Sequence, residues 1–360
     1  MTYDAASNGP ALFENDDTND DKTENDALEQ QLEMWLFSGA LCHPSGAVAA
    51  WRNAATGELS YPYPEITGYF LTLAADLGRS GLPAVRRAAR WLVHRHARPE
   101  RESRPTEPGV VYVFDRFIQA TGLLNHGLAA SDAAAHETGA RLLRTEAERI
   151  LAERDIRPLA PGSTVPARPA TWSTAGRLHL LKAVQGLCLA HEVTGCPAAI
   201  EAAALLVGRH AERVAVAAPD FADAAGRRYL HPFCYALEGL WMWSAATGST
   251  GAGRLAAEAF RGLAGHRLAD GGYPQTVGGP GAHYDVTAQV ARLGALLARD
   301  AAGTDAVRAR LRGAARPAGG GGRYVPYRAG SPDHQSSWAS MFALQALRAA
   351  HRTAAWQRLV

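Results

Sequence analysis

From residue 26 onward the chain alternates between two hydrophobic patterns. One is apolar or small on nearly every side, at 65–78, 112–126, 174–195, 231–247, 285–299 and 336–351. The other, at 26–38, 83–97, 130–153, 197–212, 253–265 and 303–315, carries Arg and Glu along one side. In "PAVRRAARWLVHRHA" the residues Val85, Ala88, Ala89, Leu92 and Val93 recur at steps of three and four with arginines between them, which predicts an amphipathic helix. A helix that is apolar all round must be buried all round. Six such helices are satisfied if they form an inner ring and the amphipathic ones form an outer ring around them. The starts of the apolar segments lie 47, 62, 57, 54 and 51 residues apart, a loose internal repeat.

Strand signals are sparse. Long Gly- and aromatic-rich pieces, "SGAVAAWRNAATGELSYPYP", "DGGYPQTVGGPGAHY" and "GGGGRYVPYRAGSPDH", each lead into an apolar helix. Short turns such as "DLGRSGLP", "EVTGCP" and "ATGSTGAG" join the helices elsewhere, with Gly ending one and Pro starting the next. The long loops should therefore gather at one end of the ring, and long loops inside a compact domain are commonly functional. The predicted fold is all-α: an (α/α)6 toroid of six helical hairpins, with short β-hairpin-like loops at one end, spanning 26–360. Residues 1–25 hold seven acids and one base and few apolar groups, and read as a disordered acidic tail. The "DDTNDD" run within it has no apolar anchor to hold carboxylates on a rigid wall.

The openings "YPEITGYFL", "VYVFDRFIQATGLL", "HPFCYALEGLWMW", "HYDVTAQVARL" and "SSWASMFALQAL" resemble those of α/α-toroid proteins found among polysaccharide-related genes. They are similar to the helical domain of glucuronyl C5-epimerases and, more distantly, to six-hairpin glycosidases and polysaccharide lyases. The resemblance covers about residues 30–351. It implies a toroid with a cleft at its mouth, and it leaves the reaction open, because this fold carries many chemistries.

Bulk composition narrows the classes. The 360 residues are 47% hydrophobic and 20% charged, with a net charge of +2, so neither nucleic acid nor an anionic membrane is indicated as a partner. No apolar run is long enough to span a bilayer, and the first residues lack a secretory pattern. Four scattered cysteines do not make a disulfide framework, and a cytoplasmic location is expected.

Helix N-termini point their free N–H groups into such a mouth. The candidate catalytic residues near those N-termini are Glu65, Asp115, His231, Tyr235, Glu238 and Asp285. Candidate substrate contacts are Tyr63, Tyr69, Arg116, Trp172, His283, Tyr284, His334 and Trp338. Aromatic faces beside carboxylates suit sugar rings, whose C–H faces stack while their hydroxyls bond acids. Acids in a first turn are also ordinary helix-start residues. Glu65-Ile-Thr67 and Asp285-Val-Thr287 align as a short repeat. Glu238 lies two turns inside an apolar helix, either as a structural anchor or as a general acid with a raised pKa. Gln289 and Gln345 are expected to bond between neighbouring helices. Arg116 and Arg292 are candidate clamps for a uronate carboxylate.

These residues point to a carbohydrate-active protein that binds a sugar or uronate-containing glycan, as an epimerase, lyase or hydrolase. A non-catalytic glycan-binding scaffold of a biosynthetic cluster and a terpenoid cyclase-like enzyme are the alternatives. The clustered-Asp motif of such a cyclase is missing from 26–360. No cofactor or metal is expected: His231, Cys234, Cys42 and His43 lack the spacing of a zinc site, and phosphate-loop and nucleophile-elbow motifs are missing from the sequence. Oligomeric state is not legible.

Overall fold

The computed structural model describes residues 17–98, 103–166, 168–215, 221–298, 301–331, 333–349, 351 and 355–360. It is the predicted toroid. The inner helices are α2 (Pro64–Asp76), α4 (Val113–Ala130), α7 (Val184–Thr194), α9 (Leu230–Thr247), α11 (Tyr284–Leu293) and α13 (Ser337–Arg348). They form a closed ring in that order, α13 returning to α2, with a 3-10 turn at Leu178–Ala183 joining α4 and α7 to α9. The outer helices are α1 (Asp17–Phe37), α3 (Pro83–His96), α5 (Ala133–Glu153), α8 (Pro197–Ala215), α10 (Thr250–Leu263) and α12 (Ala301–Ala314). Each outer helix packs on the inner helix before it in the chain, except α1, which packs on α13 and so closes the circle. A one-turn helix, α6 (Trp172–Ala175), stands in the loop before α7.

The burial pattern follows the two hydrophobic patterns. All of Pro64–Ala75 in α2 is buried, whereas α3 buries Val85, Ala88, Ala89 and Leu92 and leaves its intervening arginines at 86, 87 and 90 exposed. Helix α1 starts at Asp17, inside the stretch expected to be tail; the first sixteen residues lie outside the described set. Among the described residues, no helix is long and apolar enough to cross a membrane.

Among the described residues the strands lie in or beside two of the three long loops, and the loop at 270–284 carries none. β1 (Trp51–Asn53) pairs antiparallel with β4 (His334–Ser336), in the register Trp51↔Ser336 and Asn53↔His334. β2 (Arg316–Gly319) and β3 (Gly322–Tyr324) form a hairpin. The β1–β4 pair ties the loop before α2 to the loop before α13 across the seam where the ring closes.

The opposite end of the ring is closed by residues 356–360. Gln185 Nε2 donates to the carbonyls of Trp356, Gln357 and Leu359, and Gln345 and Asn125 donate to those of Arg358 and Gln357. Val360 N–H donates back to Gln345 Oε1. Inner-helix amides thus satisfy carbonyls of a half-buried 3-10 turn, Trp356–Arg358, and of the buried Leu359 that follows it.

Helices α2 and α4 meet at glycines. A Cβ on Gly122 would lie 2.2 Å from the Gly68 carbonyl oxygen, a backbone atom that cannot swing away. Gly122→Ala should destabilise the protein by about 1–3 kcal/mol, as overpacking does. Gly208→Ala on α8, whose Cβ would meet nothing within 4 Å, should stabilise it by up to about 1 kcal/mol. Urea denaturation of both variants checks the contrast.

Candidate active site

The E-I-T and D-V-T repeat has a physical cause. Thr67 Oγ1 donates to the Tyr63 carbonyl at 2.8 Å and accepts from Val48 N–H at 3.0 Å. Thr287 Oγ1 donates to the His283 carbonyl at 2.7 Å and accepts from Tyr273 N–H at 3.0 Å. Each threonine pins the incoming loop onto the first turn of an inner helix, and the acid two residues earlier is thereby aimed into the mouth. The N-caps Tyr63, Tyr112, Tyr229 and His283 make no side-chain cap. Neither Glu65 nor Asp115 serves as a cap; both turn to a cation.

A cavity of 210 Å³ opens at this end. It is lined by Tyr63, Glu65, Trp172, His231, Tyr235, Asp285 and Trp338 from the sequence-derived candidates, and also by Tyr61, Ile66, Arg104, Ser173, Tyr229, Gln275 and Tyr327. On one wall Arg104 donates to both oxygens of Asp115 at 2.7 Å and to Glu65 Oε2 at 3.2 Å. Its guanidinium lies between the rings of Tyr63 and Tyr112, at 4.8 and 4.1 Å from their centroids. Burial, and then the Asp115 charge, push the Glu65 carboxyl up to about 8, although Arg104 pulls the other way. Burial thus favours the protonated form of Glu65.

On another wall His231 Nδ1 lies 3.6 Å from Asp285 Oδ2. Burial pulls the imidazole below its ordinary value, outweighing the Asp285 carboxylate beside it. The ring stands edge-on to Tyr235 at 4.5 Å and to Trp172 at 5.8 Å. His231 is thus neutral at pH 7. His231 Nδ1 and Asp285 Oδ1 are buried and have no hydrogen-bond partner among the described residues.

Other candidates sit elsewhere, for reasons visible in their partners. Glu238 is fully buried below the cavity, between Lys182 Nζ at 2.9 Å and the Arg292 guanidinium. Burial alone would raise its pKa, but Arg292 and Lys182 together hold it below the usual value, so it is an ionised anchor and not a general acid. Arg292 is thereby removed as a uronate clamp. It also donates to Gln345, while Gln289 donates to Glu238, the interhelical bonding expected of both glutamines. Arg116 is turned to α5, where it meets Glu146 at 3.0 Å. Tyr284 is buried under Arg310 of α12. Tyr69 is buried, edge-on to Phe342. His283 packs edge-on to Tyr327, and His334 stacks on Trp51 in a neighbouring cavity.

Arg104 and Lys182 went unrecognised in the sequence. Arg104 is one of several arginines in a polar loop, and nothing in its spacing separates it from Arg98 or Arg101. Lys182 is a lone cation in an apolar run, and a buried lysine needs an acid partner; that signal was present and points to Glu238.

No protein-family model matches the sequence, and no curated protein matches it significantly. Solved structures do match in fold. A sugar epimerase from a ruminal bacterium superposes with a TM-score of 0.70 at 9% identity, over 91% of this chain and 98% of that one. An unsaturated glucuronyl hydrolase from Bacillus sp. GL1 gives 0.67 at 14% identity, over 92% and 97%. A D-mannose isomerase gives 0.66 at 13% identity, over 91% and 97%. The chain shares the six-hairpin α/α-toroid fold with these proteins.

Proposed function

We propose that the mouth cavity is the active site of a sugar-processing enzyme working by acid–base catalysis on a neutral ring, with Glu65 as proton donor and His231 as proton acceptor. One observation carries this reading: Glu65 and His231 line the same cavity, and burial favours the proton on the carboxyl and its loss from the imidazole. Environments that push two titratable groups apart in this way assign the acid and the base. The aromatic walls supply stacking surface for a sugar ring.

Arg104, the Lys or Arg side chain at this cavity among the described residues, is saturated by Asp115 and Glu65. Among the described residues no free Lys or Arg remains there for a uronate carboxylate, which supports a neutral sugar at this position. The reaction we favour is epimerisation or isomerisation of an aldose. On the open-chain form of the sugar, His231 removes the proton from the carbon beside the carbonyl while Glu65 protonates the carbonyl oxygen, giving an enediol. The imidazolium then returns its proton to the adjacent carbon, or to the opposite face of the same carbon once the enediol has turned, while an enediol hydroxyl gives its proton back to the Glu65 carboxylate. The Asp285 carboxylate, 3.6 Å from Nδ1, favours the imidazolium that forms when His231 takes the proton. The sugar epimerase and isomerase folds cited above are consistent with this chemistry.

A second reading, glycoside hydrolysis, has Glu65 as acid and Asp285 as its partner carboxylate, because both residues line the same cavity. Incubation with neutral aldoses and disaccharides in D₂O, followed by NMR, separates the readings. Exchange of the carbon-bound proton beside the carbonyl, with an epimer or ketose appearing, is the expected result. Cleavage without exchange would replace it with the second reading. No change in any sugar would overturn both.

A further inference from the structure

A second cavity, of 370 Å³, adjoins the first and shares two of its walls, Tyr327 and Trp338. It is built by the ladder that closes the ring. In the β1–β4 register Trp51 faces Ser336 and Asn53 faces His334, so Trp51 and His334 are diagonal neighbours on one face. Their rings stack at 4.2 Å and 8° between planes, one flat wall two rings thick. The Trp51 backbone N–H donates to Ser60 Oγ at 3.0 Å, which ties this strand to the loop behind it. On the shared side, Tyr327 and Trp338 lean together at 5.1 Å, and Gln275 donates to Tyr327 Oη at 3.0 Å. The wall that the two cavities share is therefore aromatic and held in place.

The two cavities differ in charge. The arginine of the first is saturated by carboxylates. The arginine of the second, Arg328, is exposed and makes no ion pair among the described residues. Its Nε donates to Ser331 Oγ at 2.8 Å, which holds the guanidinium at the cavity edge with its two terminal nitrogens available. Arginine matches a planar carboxylate or a sulfate bidentately.

We propose that this second cavity is a subsite for the next ring of a glycan, a ring carrying an anionic substituent, either carboxylate or sulfate, that pairs with Arg328 while its face stacks on Trp51. The substrate is then at least a disaccharide, neutral at the reacting ring and acidic at its neighbour. This inference rests on the reading that the first cavity binds a sugar.

Calorimetric titration of the whole protein with glucose, cellobiose, a glucuronate-bearing disaccharide and a 6-sulfated disaccharide tests it. The anionic disaccharides should bind about five- to tenfold tighter than cellobiose at low salt, and that preference should shrink at 0.5 M NaCl. Arg328→Gln should abolish the preference while leaving cellobiose affinity within about twofold. Trp51→Ala should weaken every disaccharide by about three- to tenfold and glucose by less than about twofold. Whichever of the two anionic probes keeps the advantage names the substituent. Glucose binding as tightly as every disaccharide, unaffected by either substitution, would overturn the subsite and leave the first cavity's reading intact. Equal binding of neutral and anionic disaccharides would overturn the charge assignment. Failure of all four probes would overturn the subsite together with the reading on which it rests.

Discussion

Glu238→Ala should cost about 3–5 kcal/mol of stability at pH 7, the largest effect expected of any single change below the cavity floor. The Glu238 carboxylate lies between two cations, Lys182 and Arg292, and all three side chains are fully buried. Taking charges out of water is expensive, and mutual attraction offsets the cost only while each charge has its partner. Alanine leaves two buried cations without their carboxylate, Lys182 held only by the Leu359 and Val360 oxygens and Arg292 by Gln345. Lys182 has one escape: burial already brings its pKa down to about 8, and Glu238 is what holds it up. In the variant it should lose its proton more readily. A lysine whose folded pKa lies below its unfolded value destabilises the fold while protonated, and the penalty is relieved as pH rises through the folded value. The deficit of Glu238→Ala should therefore be smaller at pH 9.5 than at pH 7. Combining Lys182→Met, Glu238→Leu and Arg292→Met removes every charge and should recover most of the lost stability, since well-packed apolar replacements of buried ion clusters are commonly neutral or stabilising. Urea denaturation of the two proteins at both pH values reads this directly. A single-variant deficit under about 1 kcal/mol, or none that depends on pH, would show that the cluster is hydrated.

The ring was legible because its cause is periodic. Helices such as α2 and α9 are apolar on every side, and only a position enclosed by partners satisfies that pattern. The acids at the mouth were legible for the same reason: Glu65 and Asp285 sit at fixed offsets from the helix starts, ahead of threonines that the loops require. What escaped was pairwise. Arg104 reaches Glu65 across thirty-nine positions and Lys182 reaches Glu238 across fifty-six, and no local pattern encodes which inner helix faces which loop. Arg116 was misplaced by the same blindness. It follows Asp115 directly, but one step along a helix turns a side chain by about 100°, from the mouth to the outer ring. The Trp51–His334 wall also depends on a register formed between chain segments almost three hundred residues apart.

Glu65→Gln and His231→Ala should each reduce turnover by about 10²–10⁴-fold, the usual contribution of a positioned acid or base. The pH dependence is the sharper test, because its two limbs have different owners. Activity needs Glu65 protonated and His231 neutral. The rate should therefore fall above about pH 8, as Glu65 loses its proton, and fall on the acid side below the ordinary histidine range, as His231 gains one. A pair of carboxylates with ordinary pKa values would instead place the optimum near pH 4–5. Glu65→Gln should remove the alkaline limb from the residual activity, and His231→Ala the acid limb.

Stability supplies a reading that needs no substrate. Glu65 has a folded pKa raised far above its unfolded value, so its contribution is fully present below the ordinary carboxylate range. That contribution is lost as pH rises through about 8. The wild-type protein should lose stability between pH 5 and pH 9 relative to Glu65→Gln, which carries no titrating group at that position. If the two proteins instead track each other across that range, Glu65 is ionised in the fold. The proton donor must then be sought in Tyr235, whose hydroxyl is also buried at the cavity and held well above its usual pKa by desolvation.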